Sequence, residues 1–387
     1  MALMDNFTHG NAAEGFCLSH LPKPFSPILR LNTLCPYFTM FPLCFPFDNL
    51  SRATRGEWVL DPFCGRGTTN YAARLRGLPS VGVDSSPIAE AISAAKMVNT
   101  KPQEIVRYCQ NILNATSSPE HTPEGKFWDL CYHPDTLSQI CRIRESLLAE
   151  CTSDEAIALR ALMLGILHGP VNKGQLSYLS NQMPRTYSSK PDYSVRYWEK
   201  NGLFPKRIDV IDVLTRKAMY SFSEIPPKTA GEIVKADSRE LLKCTPKDGF
   251  SWVITSPPYF RMITYVQDQW LRNWFLGGPE SIDYSVAGQL THTTRTEFID
   301  DLAKVWRNIT HVCAPTAKLI TRFGAIPSYP CDPLLIIQES IDRADCGWKF
   351  LKAESAGFAK AGRRQSEQFN DGTKNPREEI DYYAILT

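Results

Sequence analysis

The stretch Trp58-Val59-Leu60-Asp61-Pro62-Phe63-Cys64-Gly65-Arg66-Gly67-Thr68-Thr69 decides the fold. Three apolar residues make a short buried strand, and the Asp-Pro step ends it, because proline has no N–H to give to a ladder. Gly65 and Gly67 then let the backbone turn tightly and approach a ligand closely. Downstream, Tyr71 to Arg76 has a helix-compatible composition and Gly77 is a natural stop. A second strand, Ser80 to Val83, ends at Asp84, and Ser85-Ser86-Pro87 opens a helix with a serine cap and a proline in its first turn. Strand, glycine turn, helix, strand ending in an acid, helix: this is the first half of a doubly wound α/β sheet.

The same stretch limits the ligand. Asp84 follows Gly65 at the distance expected of an acid that accepts hydrogen bonds from a ribose diol. A dinucleotide site would want a third glycine at position 70, which is Asn70. A nucleoside without a pyrophosphate fits better, and S-adenosylmethionine is the obvious one.

A second punctuated strand, Trp252-Val253-Ile254, runs into Thr255-Ser256-Pro257-Pro258-Tyr259. Two successive prolines stop the ladder and leave a stiff extended turn that offers a hydroxyl, a fixed carbonyl and an aromatic face. Such a turn suits a planar, hydrogen-bearing group such as a nucleobase, held at its exocyclic amine and stacked on Tyr259. A simple Pro-Pro turn after a core strand is the other reading of those five residues.

Taken together, Asp-Pro-Phe-x-Gly-x-Gly-Thr and Thr-Ser-Pro-Pro-Tyr are similar to the signature pair of the DNA amino-methyltransferases, and the serine form of the second motif most resembles the cytosine-N4 branch. The resemblance implies a class I (Rossmann-like) methyltransferase sheet. It implies that Asp61, Phe63, Gly65, Gly67 and Thr68 hold the methionine part of S-adenosylmethionine, that Asp84 and Ser85 hold the ribose, and that Thr255 lies beside them. Asp237 and Ser238, after a strand at Glu232 to Lys235, resemble the motif that meets the adenine ring. Tyr37, Phe38 and Thr39 resemble the segment placed beside the methionine carboxylate. Catalysis falls on Ser256, Pro257, Pro258 and Tyr259, with DNA as substrate and a cognate restriction endonuclease as a possible partner. The reaction needs no nucleophilic cysteine, and Cys64, in the glycine turn, lacks the Pro-Cys context of cytosine-C5 chemistry.

Three stretches organise the chain. Residues 1–98 carry a proline-rich N-terminal segment, read as extended, and the first half of the sheet; residues 229–387 carry the second half and the Ser-Pro-Pro-Tyr turn. Between them, residues 99–228 are mostly helical candidates: Thr136 to Glu150, Asp154 to His168, Tyr193 to Lys200 and Arg207 to Tyr220. That length far exceeds an ordinary connection, so the stretch reads as an inserted subdomain. The loop holding Tyr178, Asn181, Gln182, Arg185, Tyr187 and Lys190 has the groups that read base edges, grip phosphates and stack, and it is the candidate DNA-recognition element, with a hydrogen-bonded surface loop as the alternative. From Lys173 to Lys217 nine basic residues face four acidic ones, a local excess in a chain whose net charge is only +2.

After Tyr259, the pattern predicts helices over Tyr265 to Leu276, Arg295 to Val312 and Pro333 to Ala344 and strands over Ala317 to Arg322, Trp348 to Glu354 and Asp381 to Leu386, the last two of which the resemblance implies close the sheet as an antiparallel pair. Trp270 and Trp274, four apart, share a helix face and read as packing. Ala359 to Gln368 is a basic loop that could rim the site.

Composition sets the class. Hydrophobic content of 43% with 22% charged residues suits a globular enzyme. No apolar run reaches the length of a membrane span, and the N-terminus lacks the pattern of a secretory signal, so a cytoplasmic location is expected. Twelve cysteines without a C-x-x-C pair, and histidines without ligand spacing, lead to an expectation of no metal. Adenine-N6 methylation of DNA, methylation of an RNA or protein amine, and a non-catalytic DNA-binding module remain the alternatives.

Overall fold

In the computed structural model the described residues are 16–37, 41–169, 177–181, 191–242, 244–261, 266–282, 290, 294–325, 331–358 and 378–387. The protein is built on one seven-stranded sheet: β1 (Trp58–Asp61), β2 (Ser80–Asp84), β3 (Gly231–Lys235), β4 (Phe250–Thr255), β5 (Cys313–Phe323), β6 (Trp348–Phe358) and β7 (Glu378–Leu386). Their order is β3-β2-β1-β4-β5-β7-β6. Strands β1 to β5 run parallel, and β7 lies antiparallel between β5 and β6. This is the class I methyltransferase sheet, with the reversal of strand order beside β1 where open α/β sheets bind ligands. The terminal antiparallel pair is as expected, though β5 begins four residues earlier than the sequence pattern indicates.

Alternation along the strands splits the apolar side chains between two layers. Val59, Trp252, Ile254 and Ile320 face one cluster, and Leu60, Val81, Val83, Val253, Leu319 and Phe323 face the other. Phe250 faces the second layer although Trp252 faces the first, because β4 carries a bulge between them. The second layer is filled by α11 (Arg295–Thr310) and α12 (Pro333–Ala344).

The first layer is larger. It holds α1 (Cys44–Asn49), α2 (Thr68–Leu75), α3 (Pro87–Ala94) and α10 (Val266–Phe275), together with six helices of the insertion: α4 (Pro102–Ala115), α5 (Lys126–Cys131), α6 (Pro134–Ala149), α7 (Asp154–Ile166), α8 (Pro191–Lys200) and α9 (Val210–Ser221). One hydrophobic cluster runs from the sheet through α2 and α3 into these six helices. Aromatic packing ties the insertion to α10: Trp128 of α5 lies 4.5 Å from Trp274 and 5.5 Å from Trp270, and Phe127 lies 5.0 Å from Trp270. The two tryptophans thus pack as their spacing predicts.

Two helices of the insertion went unread in the sequence, although α4 shows its signals: Pro102 in the first turn, Glu104 accepting from the Lys101 amide at 2.9 Å, and buried Ile105 and Cys109 four residues apart. The proline-rich start is also not wholly extended. A 3₁₀ turn spans Pro27–Thr33 and α1 spans Cys44–Asn49, each short enough to take its proline in the first turn.

Helix α2 holds these pieces together, starting at Thr68, three residues before the reading from composition. The Arg74 guanidinium, fully buried, donates to the carbonyls of Lys96 (2.5 Å) and Val98 (2.8 Å) where the insertion leaves, and of Pro226 (2.6 Å) and Pro227 (3.1 Å) where it returns. Arg76 donates to the carbonyls of Phe47, Leu18 and Ser19 and stacks on the Phe47 ring at 3.7 Å, fixing the N-terminal segment. Gly77 follows with φ of +70°, the left-handed stop its position predicts.

Replacing Arg74 by Met removes the donor from four carbonyls, three of them buried, and each buried one costs about 1–3 kcal/mol. Denaturant titration of Arg74→Met should therefore show a loss of about 3 kcal/mol or more. Arg74→Lys should recover only part, since an ammonium cannot reproduce the planar fork. Unchanged stability in both would contradict the role assigned to Arg74.

Candidate functional site

The carboxyl ends of β1, β2 and β4 meet at one edge, and register decides what faces what. Asp61, the last residue of β1, is fully buried. Its Oδ1 accepts from the Phe63 amide at 3.1 Å and from the Thr255 hydroxyl at 2.6 Å, which joins the glycine turn to the Ser-Pro-Pro-Tyr turn. Its Oδ2 has no hydrogen-bond partner among the described residues. Burial pushes the carboxyl up to about 6 against the pull of the Thr255 hydrogen bond.

The glycine turn is closed by the acid on β2. Asp84 Oδ2 accepts from Gly65 N at 2.9 Å and Oδ1 from Ser86 N at 2.9 Å, so one carboxylate ties the turn after β1 to the start of α3. Burial raises its pKa, and those two amides oppose the rise. Ser86, next to Ser85, caps α3 through Ala89 N, as the sequence predicts. Gly67 adopts φ of +71° and a Cβ there would lie 2.8 Å from Ser93 Oγ, so no other residue fits. Thr68 and Phe63 flank the turn, the first buried and the second half-buried. Asn70, where a third glycine is missing, is buried against β2 and donates to Ser80 Oγ at 3.2 Å.

Of the remaining predicted cofactor residues, Tyr37, Asp237 and Ser238 fall at the same edge. Tyr37 is half-buried with its ring over Gly65, 4.0 Å from where a Cβ would stand. Its phenol is pushed up by burial and then by Asp84. Phe38 and Thr39 lie outside the described residues. Ser238 donates to the Pro62 carbonyl at 2.5 Å and so links the loop after β3 to the glycine turn. Asp237 is held by Arg239 through both carboxylate oxygens at 2.6–3.1 Å, and Arg239 reaches on to Asp301 of α11 at 2.7 Å. The Asp237 carboxyl is lowered by those hydrogen bonds from Arg239, which outweigh its burial.

The turn after β4 places Ser256 and Pro257 in buried positions and Pro258 half-buried. Tyr259 is buried rather than splayed outward, its hydroxyl donating to Glu379 at 2.9 Å. Neither Glu379 nor Arg66 and Lys96 was singled out in the sequence. Arg66 donates to the Asn32 carbonyl and Lys96 Nζ to Asn32 Oδ1 at 2.8 Å. Burial lowers both, Arg66 to about 10 and Lys96 well below its ordinary range.

In the insertion, Asn181 is an anchor. Its Nδ2 donates to the carbonyls of Leu130 (3.0 Å) and Leu203 (3.2 Å), and its amide to that of Cys131 (2.6 Å). Both side-chain donors are thus committed to backbone. Tyr178 packs over Gly169, where a Cβ would lie 2.3 Å from its ring. Gln182, Arg185, Tyr187 and Lys190 lie outside the described residues, as does the basic loop Ala359 to Gln368. Among the described residues no helix is long and apolar enough to cross a membrane.

No protein-family description matches the chain, and no curated protein is a significant match. Solved structures with a similar arrangement include the rRNA methyltransferase aviRa from Streptomyces viridochromogenes, at 10% identity over 95% of this chain and 96% of that one, with a TM-score of 0.33. An rRNA methylase from Streptococcus thermophilus is 6% identical over 91% of this chain and 100% of its own, with a TM-score of 0.34. A geranyl diphosphate methyltransferase in complex with SAM is 9% identical over 89% and 84%, with a TM-score of 0.32. At these levels the likenesses carry no argument about activity, and the fold assignment stands on the strand order.

Asp61 gives a pH test. A buried carboxyl with its pKa raised from 3.8 to about 6 favours the folded state while protonated, so its contribution is present below about pH 4 and is lost as pH rises through about 6. Relative to Asp61→Asn, which cannot ionise, the wild-type protein should lose up to about 3 kcal/mol between pH 4 and pH 7. Denaturant titrations of both proteins across that range measure it, and parallel pH profiles would contradict the assignment.

Proposed function

We propose that this protein is an S-adenosylmethionine-dependent amino-methyltransferase that methylates DNA at the N4 amine of cytosine. The observation that carries the reading is the 2.6 Å hydrogen bond from Thr255 to Asp61, which sets a ligand-binding glycine turn against a Ser-Pro-Pro-Tyr turn at the reversal point of the sheet.

The residues present suit that cofactor. The unpartnered Oδ2 of Asp61 is a buried acceptor for the amino group of the methionine part. Gly65 and Gly67 leave two positions of the turn without side chains, Tyr37 stands over Gly65, and Asp84 keeps lone pairs for a ribose diol beyond those given to Gly65 and Ser86. Ser238 and Asp237, at the mouth of β3, lie where an adenine ring would follow, with Asp237 already held by Arg239. When bound, the cofactor supplies an electrophilic methyl group.

The rest is done by the chain. An exocyclic amine is a poor nucleophile because its lone pair is delocalised into the ring. With Ser256 and the Pro257 carbonyl accepting its hydrogens, the nitrogen is drawn toward tetrahedral geometry and its lone pair aimed at the methyl carbon. That nitrogen would take the methyl group of the bound cofactor, leaving the neutral thioether, and the surplus amine proton would pass along its hydrogen bond to the Ser256 hydroxyl and from there out of the site. Exclusion of water at buried Ser256 and Pro257 strengthens those hydrogen bonds. Reaching cytosine in a duplex requires flipping it out, at a cost of a few kcal/mol. Phosphate and base contacts offsetting that cost are assigned to the insertion through Tyr178, Asn181, Gln182, Arg185, Tyr187 and Lys190. A cytoplasmic location and pairing with a restriction endonuclease accompany this reading.

Incubation with duplex DNA and labelled S-adenosylmethionine, followed by nucleoside mass spectrometry, tests it. N4-methylcytosine should form, and Ser256→Ala should reduce its rate by about 100-fold, as for loss of one preorganised hydrogen-bonding group. N6-methyladenine in its place would overturn the choice of base, and label appearing only in RNA or protein would overturn the choice of DNA.

A further inference from the structure

Tyr259 closes the turn that the proposed chemistry uses, yet only 1% of it is exposed. Strand register explains where it goes. Thr255 pairs with Thr321 on β5, and Phe323 pairs with Ile380 on β7, so the chain leaving β4 crosses the end of β5 and meets the start of β7. There the Tyr259 hydroxyl donates to Glu379 Oε1 at 2.9 Å, and the ring meets Phe323 edge-on with centroids 5.3 Å apart at 72°. Gly324 leaves the room for this: a Cβ at that position would lie 3.0 Å from the Tyr259 ring and 3.0 Å from Glu379 Cγ.

Glu379 is itself 2% exposed. The neighbouring acid, Asp381, is already taken by Arg322 through two 2.7 Å bonds, with Arg322 stacked on Phe45 at 4.1 Å. Glu379 is therefore the acceptor left for the phenol. Burial, and after it the Glu379 charge, hold the Tyr259 phenol well above its ordinary range, so it stays a donor at any physiological pH. A hydroxyl committed in this way does not serve a substrate; what it does is fix the ring.

We infer that Glu379 is a positioning residue for the methyl transfer: by accepting the Tyr259 hydroxyl it sets where the aromatic ring stands relative to Ser256 and the Pro257 carbonyl. This rests on reading the turn as the site that receives the amine. The residue sits on the penultimate strand of the sheet and 120 positions from the tyrosine it orients.

Four proteins test it: wild type, Glu379→Gln, Glu379→Leu and Tyr259→Phe, assayed for methyl transfer to DNA and for S-adenosylmethionine affinity. The Leu and Phe variants should each lose about 10- to 100-fold in kcat, the scale of a misplaced reacting geometry, with cofactor affinity unchanged. Glu379→Gln should recover most of the rate, because its amide oxygen accepts the same proton. The double variant Tyr259→Phe with Glu379→Leu should be no worse than the poorer single variant. Wild-type kcat in Glu379→Leu, no recovery with Gln, or additive losses would each overturn the inference. A second readout does not need activity: 3-fluorotyrosine placed at 259 should show a fluorine resonance shifted in Glu379→Leu but not in Glu379→Gln. If wild type transfers no methyl group to DNA while the fluorine result holds, the functional reading fails and the placement of the ring by Glu379 stands; an unmoved resonance in Glu379→Leu sinks the placement itself. Should the Leu variant fail to fold, the Gln and Phe variants carry the same comparison.

Discussion

The hydrogen bond between Thr255 and Asp61 is the constraint on which the rest of the site depends. It spans two adjacent parallel strands at their carboxyl ends, and it exists because β1 and β4 are neighbours in register with Leu60 beside Val253. Parallel neighbours separated by nearly 200 residues bring two punctuated turns, each stopped by proline, to the same edge. The bond leaves one oxygen of Asp61 unsatisfied in a buried place, an arrangement that costs free energy unless a ligand supplies the donor.

Around that edge, buried cationic side chains do the work that sheet and helix hydrogen bonds cannot. Segments rich in proline and loop carry carbonyls that need donors. Arg74 satisfies those at both ends of the insertion, and Arg76 those of the N-terminal segment, from one short helix and the residue that ends it. The turn, the insertion and the N-terminal strap are therefore fixed relative to one another by two guanidinium forks. The same logic appears on the far side, where Arg322 and Asp381 pair and Glu379 takes the Tyr259 hydroxyl.

The described helices of the insertion pack into the core beneath the sheet. They share the hydrophobic cluster of the first layer, and the insertion's aromatic residues pack on Trp270 and Trp274 of the helix that follows the Ser-Pro-Pro-Tyr turn.

Local rules made much of this legible in the sequence. Proline and glycine punctuation marked the ends of β1 and β4, the stop at Gly77 and the capped start of α3, alternation of short strands with helices pointed to the parallel sheet, and the family resemblance to its antiparallel close. These follow from backbone stereochemistry, which acts over a few residues. The sequence did not reveal that Arg74 and Arg76 would be buried, since arginine on a helix reads as solvated until its carbonyl partners are known. Nor did it reveal that Asn181 is an anchor, that Asp237 is claimed by Arg239, or that Tyr259 turns inward to Glu379. Each of those depends on a partner 2 to 120 residues away whose position is set by strand register or loop closure. The chain by itself determined which residues end strands; only the tertiary structure decided which of them face one another, because a hydrogen bond requires its two partners within about 3 Å.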